Sequence, residues 1–472
     1  MTAETDRILA ELAHPTRAHI HSSAQLVLDA DKAATSIDKE RARKAKNEEQ
    51  AFRKPSVEPL TGGDRDDLTL TTWQTLGTLA RSSTLARHGQ GRGLAEHWQC
   101  LKYCRAMTTP KDGHLHLSSS GESPEQFHRG NQARELGRAF GLALAERTVR
   151  RRHPDRVIAT IDAEAALLPG FARSDKQPTL GAWPRPDYLI EAWKPDESSI
   201  VYAVTVNGNH QIATPRTGKA QRTTFRQLAR ASERVEHFQI GSWNNTGCLL
   251  MSTELLAPGG ITVHALQAAG SALLRNAHLD LEDGTDIDRR LKRSLKYVDT
   301  VRVPDPDGES RDHWHNAFLV PGQDLGWFAQ VLAATGAAGQ LAWAGAGREI
   351  SRYLTEVQGR KRYQENTFAG AASVRDARHT IGGELFVGTD QVFRLDGQRV
   401  EAFSGIAEHL YKLLEAGKVE EYRRRTYESR DSWPVGTTAT GWGPTSFRED
   451  STVMALRIVP NPPAHDAGPR SA

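Results

Sequence analysis

The 472-residue chain has little cysteine, no long apolar run and no marked excess of either charge. Three cysteines are too few for a disulfide scaffold, and the odd count points to a reducing, cytoplasmic setting. Without a run of about 18 apolar residues there is no candidate membrane span, so no membrane partner is expected. The first seventeen residues lack a basic stretch followed by an apolar one, so no secretory signal is expected. The 61 Lys and Arg against 58 Asp and Glu leave a net charge of +3. That balance neither demands nor excludes nucleic acid, so a binding surface would have to come from local clustering. No Gly-x-Ser-x-Gly elbow, P-loop or internal repeat occurs.

The composition is that of a globular protein rich in turns, with 38% hydrophobic residues, 25% charged residues, 40 Gly and 22 Pro. Its length predicts two or three domains. Residues 3–55 read as helical and polar. Within them the basic stretch 39–54 is either a solvated helix face or an arm for phosphates. Residues 67–107 read as two helices, with Trp73, Leu76 and Leu79 at helical spacing.

Residues 131–267 are the most legible part. A helix is expected over 131–152, with Ala133, Leu136, Phe140 and Leu144 forming one apolar stripe. Strands follow over 156–163, 186–193 and 200–206, then a helix over 219–238 and strands over 248–252 and 261–266. Strands this apolar on both faces call for helices on both sides. Further on, helices are expected at 323–334 and 348–358, and a hairpin over 392–403 turning at Asp396-Gly397. Ser404 then reads as the cap of a helix running to Leu414, ahead of Gly417. The proline-rich tail from 460 reads as disordered. The expected class is therefore α+β, with a helical N-terminal region (1–110), an α/β core (131–267), a mixed C-terminal region (268–459) and a tail (460–472).

Period-2 geometry puts Asp187 and Glu191 on one face of the second core strand, and Thr205 and Asn207 on one face of the third. An acid directly after Pro186 at a strand start suits a hard divalent cation. The order helix, strand, Pro-Asp strand, strand ending in Gly, basic helix, strand resembles the PD-(D/E)xK nuclease superfamily, over somewhat less than a third of the chain. The resemblance implies a restriction-endonuclease-like fold and Mg²⁺-dependent phosphodiester cleavage, in which Asp187 is the motif aspartate. Glu135 or Glu146 would be the acid of the first helix. Thr205-Val206-Asn207 stands where the family carries acid-x-Lys, so the ammonium and one carboxylate are missing. Glu191 or Glu233 would have to replace the acid, and Lys219 the ammonium.

Two functional expectations follow. One is a nucleic-acid-binding protein, with DNA as the partner, active in restriction, repair or defence and dependent on Mg²⁺ held by Asp187 and Glu191. Its catalytic set is Asp187, Glu191, Glu135, Thr205 and Asn207. The alternative is a catalytically inactive scaffold serving as an interaction module. Lys219, Arg222, Arg226 and Arg230 recur at three- and four-residue spacing. They form either a phosphate-binding stripe or a solvated helix face. His97, Cys100 and Cys104 make an incomplete zinc set that His114 and His116 would have to complete, and buried thiols are the plainer reading. The pairs His19-x-His21 and His313-x-His315 have no acidic or Cys partner at a useful spacing.

Overall fold

A computed structural model describes residues 2–44, 57–83, 90–110, 112–170, 184–211, 219–236, 238–241, 245–275, 277–280, 286–287, 297–303, 313–364, 374–434 and 441–460. The second half of the basic stretch 39–54, most of the acidic run 280–288 and the tail beyond 460 lie outside them.

The strands of the legible region do pair in one sheet. Val157–Asp162, Tyr188–Trp193 and Ser199–Asn209 form an antiparallel meander. The chain then crosses over through the helix Lys219–Glu236 and returns as Gly247–Glu254, parallel to Ser199–Asn209. Thr262–Ala268 adds to the far side. Alternate side chains of these strands enter two different cores. Leu189, Val201, Ala203 and Leu250 pack with Leu228, Ala231 and Val235 of the helix Lys219–Glu236. Ile190, Ala192, Val204 and Met251 pack with Leu136, Ala139 and Phe140 of the helix Gln126–Arg152. Both faces are thus covered, as strands without a polar face require.

Gly208, next to the last residue of the third core strand, has a packing reason. A Cβ on Gly208 would lie 2.1 Å from the Ala133 carbonyl oxygen, and one on Gly137 would lie 2.5 Å from the Gly208 Cα. Helix and strand backbones touch there, which only glycine permits.

The N-terminal segment is not wholly helical. Pro15–His21 forms a strand parallel to Thr262–Ala268, and Leu68–Thr71 pairs with its outer edge. Polar residues outnumber apolar ones in Pro15–His21, and its partner lies about 240 residues away, so local pattern carried no strand signal. Thr71 then ends its strand and caps the helix Thr72–Ser82 in a reciprocal box with Gln74.

A second, five-stranded antiparallel sheet contains 374–381, 384–395, 398–407, 452–459 and 445–447. Asp396 and Gly397 both have positive φ, +49° and +81°, as the two-residue hairpin turn requires. Ser404 is not a helix cap. Its strand continues to Ala407, and its buried hydroxyl donates to the Trp343 carbonyl oxygen at 3.2 Å. Leu325–Trp343 is longer than expected and apolar on nearly every side, because it is buried between the two sheets. The helix expected at 348–358 is a short 3₁₀ turn, Arg348–Tyr353. Among the described residues no helix is long and apolar enough to cross a membrane.

Candidate functional site

Asp187 stands one step beyond the Tyr188–Val204 pair, which places it across from Thr205. Its own N–H donates to the Val204 carbonyl at 2.9 Å, and its Oδ2 accepts from the Val206 N–H at 2.9 Å. Asp187 and Thr205 therefore face each other as the strand pattern suggests, whereas Glu191 stands across from Val201. The chemistry at Asp187 differs from the expectation. Arg234, on the helix that covers this face, forms an ion pair with Asp187 Oδ1 and donates from Nε to the Arg185 carbonyl at 2.9 Å. A guanidinium stands where a divalent cation was expected.

The other expected ligands do not converge on Asp187. Glu191 shares its face but lies four residues on, about 13 Å along an extended strand, too far to share one ion. It is fully buried and accepts two hydrogen bonds from Arg423, at 3.0 and 2.7 Å. Arg423 in turn lies over the Trp193 ring, 4.9 Å from its centroid. Glu135 and Glu146 belong to the helix on the opposite face of the sheet, about 16 Å apart along its axis. Glu135 accepts from the Tyr103 hydroxyl at 2.6 Å and pairs with Lys102 at 2.7 Å. Glu146 accepts from Thr160 at 2.7 Å and pairs with Arg448. Burial works to raise the Glu146 carboxyl, but Arg448 and Arg150 outweigh it and hold it below the ordinary range. Glu233 is held by both terminal nitrogens of Arg41, at 2.7 and 2.9 Å.

Thr205 is fully buried, with no hydrogen-bond partner for its hydroxyl among the described residues. Asn207 is half-buried beside Ser252 of the neighbouring strand. Neither supplies a charge. The side chain of Lys219 lies outside the described residues. The donor set at Asp187 thus does not fit Mg²⁺: one carboxylate is present, and it already has a cationic partner.

The basic helix presents a different surface from a free stripe. Arg226 is held by Glu40 through two bonds of 2.8 Å, because the helix Ala24–Lys44 packs alongside. Arg222 and Arg230 stay exposed, and Lys39, Arg43 and Lys44 are exposed on the neighbouring helix. The Arg226 hydrogen bond holds the Glu40 carboxyl low, and the charges of Lys44 and Arg230 act in the same direction. Two helices that are far apart in sequence thus share one basic face.

The set His97, Cys100 and Cys104 is buried and apolar in character. His97 packs edge-on against Trp98 and Trp343, and burial pushes it down to about 3, with Arg81 adding to the shift. Burial pushes the Cys104 thiol up to about 12. His114 and His116 lie elsewhere. The side chains of His313 and His315 lie outside the described residues.

No protein-family model matches this chain, and no curated protein or solved structure matches it.

Proposed function

We propose that this protein binds nucleic acid, with duplex DNA the first candidate, on a nuclease-like scaffold whose metal position is closed by its own arginine. The observation that carries the reading is the Asp187–Arg234 ion pair, across from the uncharged Thr205. Phosphodiester hydrolysis of this type needs a cation that both polarises the phosphate and activates water. A guanidinium on the ligand aspartate does neither. What supports binding is the basic face of 24–44 and 219–236, where Glu40 and Glu233 are each paired with an arginine of the other helix. The remaining exposed cations are free to lie along a phosphate backbone without reading bases.

The test is a binding series on duplex DNA, single-stranded DNA and RNA at several salt concentrations. A parallel cleavage assay uses Mg²⁺ or Mn²⁺ against chelator. The expected result is salt-dependent binding without metal-dependent cleavage. Cleavage by the wild type that disappears in Asp187→Asn would refute the closed-site reading, and absence of binding at low salt would refute the interface.

A further inference from the structure

Three residues distant in sequence meet at the outer edge of the central sheet. His19 lies on the strand Pro15–His21. Asp67 stands across from it, one step beyond the Ala18–Leu68 pair. His114 is held beside them by two backbone bonds, Arg17 N–H to the Gly113 carbonyl at 3.1 Å and Leu115 N–H to the Arg17 carbonyl at 2.8 Å. The Asp67 backbone is anchored by Arg147, whose guanidinium donates to its carbonyl at 2.9 Å. A nitrogen from each ring and a carboxylate oxygen of Asp67 all lie within 4.8 Å of one another.

Each ring turns one nitrogen to a different oxygen of the Asp67 carboxylate. His19 Nε2 lies 2.9 Å from the Gly259 carbonyl oxygen, which can only accept, so Nε2 carries the proton. Nδ1, the other nitrogen of that ring, faces Asp67 Oδ1 at 3.4 Å. His114 Nε2 lies within hydrogen-bond distance of Asp67 Oδ2, at 3.1 Å. Both distances are near the ligand–ligand spacing of a tetrahedral site, about 3.3 Å for metal–ligand bonds near 2.0 Å. The two imidazoles are stacked, with ring centroids 3.8 Å apart and planes at 23°. Orientation of a ring by a backbone carbonyl on its far nitrogen is also what metal-binding histidines use.

The contrast with the other histidine–carboxylate cluster sharpens the point. Around His379, Asp390 and Glu401, Arg375 pairs with both acids and Arg457 pairs with Glu401, so the cluster has its own cations. Among the described residues, the Asp67 carboxylate has no ion-pair partners except the two imidazoles.

We propose that His19, Asp67 and His114 bind a divalent transition-metal ion of the Zn²⁺ class, with solvent completing its coordination. Two imidazoles and one carboxylate with an open side suit such ions and not Mg²⁺, which prefers an all-oxygen shell. All three side chains are only partly buried, so the ion would be reachable from solvent. It would also clamp three separate chain segments together at the sheet edge. This site is independent of Asp187 and of the basic face.

The experiment uses the full chain, purified without a histidine tag, stripped with chelator and titrated with Zn²⁺, Co²⁺ and Mg²⁺. Expected are one equivalent of Zn²⁺ retained through gel filtration, a visible Co²⁺ spectrum of low coordination number, and no competition from Mg²⁺. Asp67→Asn and His114→Ala should each weaken Zn²⁺ binding by more than about 100-fold, the upper end of what losing only an outer partner costs. His116→Ala, outside the cluster, should retain it. Zn²⁺ should raise the Tm of the wild type and leave that of Asp67→Asn unchanged, while the two apo proteins show the same circular dichroism. No stoichiometric Zn²⁺ in the wild type, or equal retention by both variants, would overturn the proposal.

Discussion

Arg234 reaches across from the covering helix to the carboxylate of Asp187, the residue that the strand pattern marks as a metal ligand. One salt bridge therefore converts a candidate catalytic acid into a tie between helix and sheet. Asp187→Asn should lower stability by about 1.5–3 kcal/mol, the usual worth of a hydrogen bond to a charged group. It should leave nucleic-acid binding intact, with no cleavage to abolish. Denaturant unfolding and the binding assay check the two halves.

The same relationship predicts how to open the site. Arg234→Ala combined with Thr205→Glu and Asn207→Lys removes the competing cation and supplies the missing acid and ammonium. The triple variant should gain a Mn²⁺ site that Asp187→Asn then deletes, measured by calorimetric titration. A Mn²⁺ isotherm identical to that of the wild type would show that the scaffold cannot be reopened.

Glu191 is buried and depends on Arg423. Glu191→Ala should cost about 3–5 kcal/mol because it leaves the largely buried Arg423 guanidinium without its carboxylate. Replacing both residues with apolar side chains of similar volume should recover most of that loss. Unfolding free energies of the two singles and the double, read as a cycle, decide this.

Glu40 competes for Arg226 on the basic face. Glu40→Gln should therefore tighten nucleic-acid binding and steepen its salt dependence. Arg222→Ala with Arg230→Ala should weaken binding uniformly across sequences and flatten the slope by about one unit per lost contact. Opposite signs for the two variants are the signature sought in a salt series.

His97 supplies a pH test. Burial, with Arg81 nearby, holds the folded imidazole near 3 against about 6.5 when unfolded. The unfolded chain therefore binds a proton that the native state refuses, and stability falls as pH drops from 6.5 towards 3. The slope approaches about 1.4 kcal/mol per pH unit below 6. His97→Met, which cannot titrate, should flatten the stability curve between pH 7 and 5. Denaturation midpoints across that range measure it.

The sequence by itself determined the α+β class, the order of the core elements and the hairpin at Asp396-Gly397. Those features rest on local periodicity and turn chemistry, which adjacent residues carry. It also placed Asp187, Thr205 and Asn207 correctly relative to the strands, since period-2 alternation settles faces. Only the tertiary structure decided what those side chains meet. Arg234 arrives from the crossover helix, Arg423 and Arg448 from beyond residue 400, and Glu40 from the helix Ala24–Lys44. The strand Pro15–His21 and the meeting of His19 with Asp67 and His114 were equally hidden, because their partners lie tens to hundreds of residues away. The physical reason is the same throughout. A charge declares its sign in the sequence, but its energy depends on distance and burial, and folding sets both.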